Sequence, residues 1–306
     1  MKIVDFIIFL WLLMAFSVSC ETSVDQASVT SPIFHASIEA FGAAGDQTKV
    51  YADSQMRVLW NADDRISVFN KRTYNQEYKF MGKDGDNAGN FEAVGTVGEG
   101  NSLPYIYAVY PYNVGTDISD DGRISINLPA EQTYLTHSFG RGINTMISVT
   151  QGNDMYFKNV GGYLALKFIG EDVSVSKITL QGNKSEKIAG DAEISIKVGE
   201  TPVVVMKDSS TDIISLVCDP PVRIGTGNSN YTTFWFVIPP TTFSEGFAIT
   251  VTDDQGRTYS RSTSNTLTVL RNHISSMAPL RMASTFGSGD DLIPGTEVVD
   301  IIDGIW

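Results

Sequence analysis

The sequence predicts an all-β protein arranged as two antiparallel β-sandwiches in tandem. Three observations lead there. Apolar residues recur with a period near two in short runs, as in residues 33–41, Ile-Phe-His-Ala-Ser-Ile-Glu-Ala-Phe, and this spacing sends alternate side chains to opposite faces of a strand. Turn-forming Gly, Asn, Asp and Pro separate the runs at the short intervals a sandwich needs. No segment holds a helical period for more than a few turns, and the best helical stretch, Gln132 to Phe139, matches it poorly.

The chain opens with an export signal. Its apolar core from Phe6 to Phe16 follows Lys2 and ends at Ser17-Val-Ser-Cys20, too short to cross a bilayer as a permanent helix and followed by small residues suited to cleavage. Residues 1–19 read as a lipoprotein signal peptide, with Cys20 as the lipidated first residue of the mature chain. Attached acyl chains would tether it, each buried methylene adding about 0.8 kcal/mol. Ser17, where a larger aliphatic residue is usual, and Asp5 depart from the lipoprotein pattern, and a plain secretory peptide is the alternative. Residues 20–32 are too polar to pack and read as a flexible tether.

The first predicted sandwich spans residues 33–158. Its strand runs lie at 33–41, 58–60, 65–69, 78–80, 89–94, 105–110 and 123–128. The pair Gly161-Gly162 marks a bend or bulge between two series of runs. The second sandwich, 159–282, takes its strands from 155–170, 175–180, 192–196, 213–218, 232–238, 247–252 and 267–270, with Asp253-Asp-Gln-Gly256 as a hairpin turn. Residues 283–306 form a tail that begins as a Gly- and Ser-rich link and ends Val298-Val-Asp-Ile-Ile-Asp-Gly-Ile-Trp306. Val298, Val299, Ile301, Ile302, Ile305 and Trp306 would face both sides of a paired ribbon, as a strand inserted into another subunit's core requires. An edge strand folded back on its own domain, or a disordered end, is the alternative.

Composition narrows the function. Removing 19 of 306 residues leaves 287, enough for two ordinary domains. Lys and Arg number 22 against 35 Asp and Glu, a formal charge of −13, and no basic patch appears. Nucleic acid is therefore not an expected partner, because its binding draws on clustered cations. Charged residues make up only 19% and glycines number 27, the look of an extracellular β-protein. With Cys218 the only thiol besides Cys20, no intrachain disulfide framework is expected. Cys218 ends the apolar run 213–218 and reads as a small buried hydrophobe.

Several pieces in order resemble the fimbrillin family, the subunits of type V pili on Gram-negative anaerobes. They are Thr48-Lys-Val-Tyr51, Val58-Leu-Trp60 with Asp63-Asp64, Ile66-Ser-Val-Phe69, Asn90-Phe91, Tyr107-Ala-Val-Tyr-Pro-Tyr112 and Ile126-Asn-Leu-Pro-Ala-Glu-Gln132. In the second half they are Phe157-Lys-Asn-Val-Gly-Gly162 with Leu164, Ile178-Thr-Leu-Gln-Gly182, Ala189-Gly190, Phe236-Val-Ile-Pro-Pro240 with Phe243 and Gly246, and Ile274 to Leu280. The resemblance implies two transthyretin-like sandwiches, export as a lipoprotein to the outer membrane through lipid on Cys20, and assembly with other pilus subunits by donor-strand addition. It also implies proteolytic processing after a basic residue that follows the first strand. By position Lys49 and Arg57 are the candidates, with an ordinary solvated loop charge as the alternative for each. Uncut, the subunit would stay lipid-bound as an anchor. A host or bacterial surface receptor is a further implied partner.

No catalytic constellation emerges. His35, His137 and His273 lie far apart without metal-ligand spacing, and no metal or other cofactor is expected. Asp84-Gly-Asp-Asn-Ala-Gly89 begins like a calcium loop but has Ala88 at a ligand position and Gly95 where the bidentate Glu belongs. Asp63-Asp64 and Asp120-Asp121 sit at turns, where Asp is favoured without any glycosidase role. Gly225-Thr-Gly-Asn-Ser-Asn230 lacks the last glycine of a dinucleotide site. Trp60, Trp235 and the aromatics of 105–112 read as core packing, with sugar stacking as the alternative. The expected function is a non-catalytic pilus subunit that supports adhesion. A monomeric surface lipoprotein binding glycan or protein is the second reading, and a secreted glycan hydrolase the third.

Overall fold

The computed structural model describes residues 31–40, 58–71, 74–98, 102–226 and 230–282. Among them there are strands and no helix. In chain order the first eleven strands are β1 Phe34–Ile38, β2 Arg65–Lys71, β3 Gln76–Phe80, β4 Ala88–Ala93, β5 Ser102–Tyr110, β6 Asp117–Ile118, β7 Ile124–Leu128, β8 Glu131–Leu135, β9 Ser138–Phe139, β10 Met146–Thr150 and β11 Asp154–Asn159.

Seven of these close on themselves in the order β1-β11-β10-β5-β2-β3-β4. The closing strand is β1, parallel to β11 through His35↔Asp154 and antiparallel to β4 through Phe34↔Phe91. Closure follows from the alternation in the sequence: one phase of each strand is aromatic or branched and meets its counterparts inside. Phe34, Ile66, Tyr78, Phe91 and Phe157 are all fully buried there around Trp60. The other phase of β5 and β10 is apolar too. Val109 and Ile147 point out of the barrel and, with Phe69, pack on Ile124, Ile126 and Ile194. A strand apolar on both faces is buried on both faces.

The remaining strands are β12 Gly162–Gly170, β13 Ser174–Gly182, β14 Gly190–Ser195, β15 Val203–Met206, β16 Ile213–Arg223, β17 Thr232–Ile238, β18 Thr241–Phe243, β19 Phe247–Asp253, β20 Thr258–Ser262, β21 Leu267–Val269, β22 Ile274–Ser276 and β23 Leu280–Met282. β17 and β12 pair with one another, and β22 and β23 both run parallel to β12. A six-stranded sheet has the order β20-β19-β13-β16-β8-β9. Leu164, Leu166 and Phe234 from the first of these sheets share one core with Leu180, Leu216 and Ile249 from the second. Two strands from before residue 158 pair with strands after it. β7 is antiparallel to β14 in the sheet β15-β14-β7-β6, and β8 is parallel to β16.

Gly161 lies in the bend between β11 and β12 and Gly162 opens β12, and both sit at a close backbone approach. A Cβ at Gly162 would lie 2.1 Å from the Leu270 carbonyl oxygen, and one at Gly161 would lie 2.7 Å from that of Ile238. The Asp253–Gly256 hairpin joins β19 to β20. Asp253 accepts main-chain hydrogen bonds from Gln255 at 2.9 Å and Arg257 at 2.8 Å, and Gly256 takes φ +78°. Residues 132–139, the weak helical stretch, are strands β8 and β9 joined through His137 at φ +62°.

Gln132 of β8 has a second task. Its side-chain amide donates to the Val237 carbonyl at 2.6 Å and accepts from the Val237 N–H at 3.0 Å. Val237 lies opposite Tyr163 in the β12–β17 ladder, so the outward main-chain groups of β17 at that point are satisfied by a side chain in place of a neighbouring strand.

Candidate assembly site at the first strand

None of the residues assigned a lipidation, processing or donor-strand role in the sequence falls where the structure describes side chains. Cys20, Lys49, Arg57, Val298, Val299, Ile301, Ile302, Ile305 and Trp306 lie outside the described residues. What the structure does describe is the strand just before the segment that carries Lys49 and Arg57.

That strand, β1, fills a slot between β4 and β11. Phe34 and Ala36 are fully buried, with the Phe34 ring 5.0 Å from that of Tyr78. His35 lies on the opposite phase, exposed, with Nδ1 3.1 Å from Asn90 Oδ1. Taking β1 away would uncover the ladder edges of both β4 and β11, and rows of unpaired main-chain groups are a template for another strand.

A buried polar network fastens the end of β1. The Glu39 carboxylate, 7% exposed, accepts hydrogen bonds from the Asn159 N–H and the Arg271 guanidinium. Arg271 also donates to the Asn159 carbonyl at 2.9 Å. Asn272, held at φ +57°, donates through Nδ2 to the Ala40 carbonyl at 2.9 Å. Its Oδ1 accepts from Asn159 Nδ2 at 2.7 Å. Asn144 Nδ2 donates to Asn159 Oδ1 at 2.6 Å, and the Tyr163 hydroxyl donates to Asn144 Oδ1 at 2.9 Å. Burial pushes the Tyr163 phenol well above its ordinary pKa, so it stays a donor. A charge out of water needs this density of partners, since an unpaired buried carboxylate costs several kcal/mol.

Sequence reasoning missed this network. Glu39 shares the phase of His35 and Ser37, which reads as solvent-facing, and its partner Arg271 is 232 residues away. The paired main-chain amide of Asn159 leaves no mark in a sequence.

The other candidates resolve into structural roles. Trp60 is fully buried, with ring centroids of Phe91, Phe157 and Tyr110 at 5.0, 5.2 and 5.4 Å. Trp235 is 6% exposed in a cluster with Tyr163, Ala165 and Val237. Asp64 caps the turn after Trp60, accepting from the Asn61 N–H at 2.7 Å and from the Tyr110 hydroxyl at 3.1 Å. Burial raises its pKa. Asp63 is exposed and ion-paired with Lys79 at 2.6 Å, a surface contact of small worth. A cavity of about 590 Å³ is lined by Val58, Phe139, Met146, Tyr163 and Trp235, with exposed His137 and Arg141 also at it. Among the described residues no group of three or more His, Cys, Asp or Glu could hold a metal ion.

Cys218 is buried, and burial pushes its thiol pKa up to about 12. The reactive species is the thiolate, so this thiol is expected to resist iodoacetamide at pH 8 in the native protein and to label fully in urea. Peptide mapping of the alkylated chain checks this; native labelling at the rate of a free cysteine would contradict the packing.

No family model matches the chain, and no curated protein matches it. Among solved structures, a protein of Bacteroides ovatus described as a "putative cell adhesion protein" is similar at 15% identity and TM-score 0.47, over 83% of this chain and 92% of that one. A fimbrial protein of the same species is similar at 10% identity and TM-score 0.33, over 82% of this chain and 49% of that one. The tip fimbrial protein Mfa3 of Porphyromonas gingivalis is similar at 10% identity and TM-score 0.29, over 81% of this chain and 96% of that one. The solved structures this chain is similar to thus include proteins named for fimbriae and for cell adhesion.

Proposed function

We propose that this chain is a non-catalytic, fimbrillin-like structural subunit of a cell-surface pilus, exported as a lipoprotein on Cys20 and assembled by donor-strand addition. The observation that carries the reading is the place of β1. It is the N-terminal strand of a closed sheet, it pairs on both sides, and the segment that follows it contains Lys49 and Arg57. A cut after either basic residue would separate β1 from the rest of the chain. A departing β1 would leave a slot with main-chain partners on two sides and pockets shaped by Phe34 and Ala36, the requirements for strand addition. The tail segment holding Val298, Val299, Ile301, Ile302, Ile305 and Trp306 is the proposed donor to the next subunit. A plan of two transthyretin-like sandwiches, 33–158 and 159–282, belongs to the same reading, with strands crossing at its border. Adhesion to a host or bacterial receptor follows from display at the surface.

The test is the protein recovered from cells. Surface fractions run on a gel without boiling are expected to give a ladder that collapses to one band on boiling. N-terminal sequencing is expected to read from just past Lys49 or Arg57 in the ladder and from Cys20 in the uncut form. One heat-insensitive band would favour a monomeric surface lipoprotein, and an N-terminus elsewhere would remove the processing step.

A further inference from the structure

An apolar sheet edge lies far along the chain from β1. β15, Val203–Met206, pairs with β14 on one side, and no described strand pairs with the other. Its outward side chains are aliphatic: Val203 is 57% exposed and Val205 61%. Other edges are guarded or shorter, with three residues in each of β18, β21, β22 and β23. β20 carries Arg261 stacked 3.8 Å over Tyr259, β6 and β9 have two residues each, and β17 is met by Gln132. Natural edges are commonly blunted by charge, proline or brevity; within its four residues β15 has no charge and no proline.

Its free main-chain groups can be named. The Lys207 N–H donates to the Asp191 carbonyl of β14 at 2.9 Å. In an antiparallel ladder, direction alternates residue by residue. Val205 and Val203 therefore also turn their main-chain groups to β14, while Val204 and Met206 turn theirs away.

We propose that β15 pairs with β15 of a second copy of this chain about a two-fold axis through Val204. This contact is separate from donor-strand addition and does not depend on it. Antiparallel pairing centred there sets the two Val204 residues opposite each other as a hydrogen-bonded pair, exchanging N–H and C=O reciprocally. Each Met206 N–H meets the partner's Pro202 carbonyl. On the outer face Val203 lies opposite the partner's Val205 in the closer, non-hydrogen-bonded spacing, where branched side chains pack best. A second copy fits better than a foreign strand because the same four residues supply both the ladder and matched valines. The contact is isologous, so it closes as a dimer. A pair of four-residue strands covers well under the ~1,200 Å² of a stable interface, so association is concentration-dependent.

Register decides the test. In the full chain carrying Cys20→Ser, a double Val203→Cys/Val205→Cys variant places one new thiol opposite the other across the axis. Non-hydrogen-bonded pairs bring Cβ atoms within disulfide reach. Mild oxidation across a concentration series is expected to give a disulfide-linked dimer from the double variant and far less from Val203→Cys alone. Adding Val204→Pro removes an N–H that faces away from β14, a site where proline is tolerated. Because Val204 is half-buried against the core of Ile124 and Ile194, the comparison is with Val204→Ala, which loses that packing but keeps the N–H: crosslinking is expected to be roughly tenfold lower for Val204→Pro than for Val204→Ala at equal protein. Equal crosslinking by single and double variants would overturn the register. The same crosslinking from Val204→Pro and Val204→Ala, or no dimer at any concentration, would overturn the pairing. Crosslinking that appears only after deletion of residues 283–306 would overturn it in favour of the tail as the occupant of this edge.

Discussion

Replacing Trp60 by alanine is expected to lower the unfolding free energy by about 3–5 kcal/mol, the cost of emptying a large aromatic site in a packed core. For a chain of this size that corresponds to a fall in Tm on the order of 10 °C. Trp60 has no exposed surface and meets Phe80, Phe91, Tyr110 and Phe157, three of them edge-on, so neighbours on several strands lose contact at once. Its indole N–H makes no hydrogen bond. Trp60→Phe is therefore expected to cost much less, since only volume is lost. Urea unfolding of the two variants beside the parent checks both numbers. Near-equal losses would mean that the indole N–H has a partner, and a loss below ~1 kcal/mol for Trp60→Ala would mean that the barrel interior is not packed as described.

Arg271→Ala is the second large effect. It leaves the Glu39 carboxylate buried with the Asn159 N–H as its remaining donor. Breaking a buried ion pair from one side costs about 3–5 kcal/mol, and the partial exposure of Arg271 places the expected loss near 3 kcal/mol. Removing both charges, as Glu39→Leu/Arg271→Ala, is expected to recover part of that loss, because the dominant penalty is the stranded charge and not the missing attraction. Hydrogen exchange gives a local readout: amides of Phe34–Ile38 are expected to lose protection in Arg271→Ala more than those of β13. Uniform loss would show that the network stabilises the whole molecule without fastening β1 in particular.

Much of the fold was legible because strand periodicity is a local property. β2, β7, β13 and β19 fall on runs whose alternation is visible in the sequence and β17 on a continuous apolar run, and Trp60, Trp235 and Cys218 are buried as their apolar settings require. Pairing is another matter. Nothing in residues 33–41 says that β1 runs parallel to β11, or that its ladder closes a ring, because the partners come from distant segments with equally apolar faces. Gln132 and Glu39 carry no mark of burial in the sequence, yet each meets main-chain groups of another element. Such residues are set by three-dimensional juxtaposition and have no local signature. The assembly residues named from the sequence lie beyond the described residues, so the gel ladder and the N-terminal sequence decide their roles.

The closing position of β1 has a consequence for the order in which the molecule forms. Glu39 and Asn159, joined at the end of β1, stand 120 residues apart, so the first described strand cannot be held on both sides until about half of the chain has been delivered. Contacts of such long sequence separation form slowly, since the loop must close before the contact rewards it. The strand would therefore wait with its β4 side alone in reach, and the ring would shut only once β11 arrives.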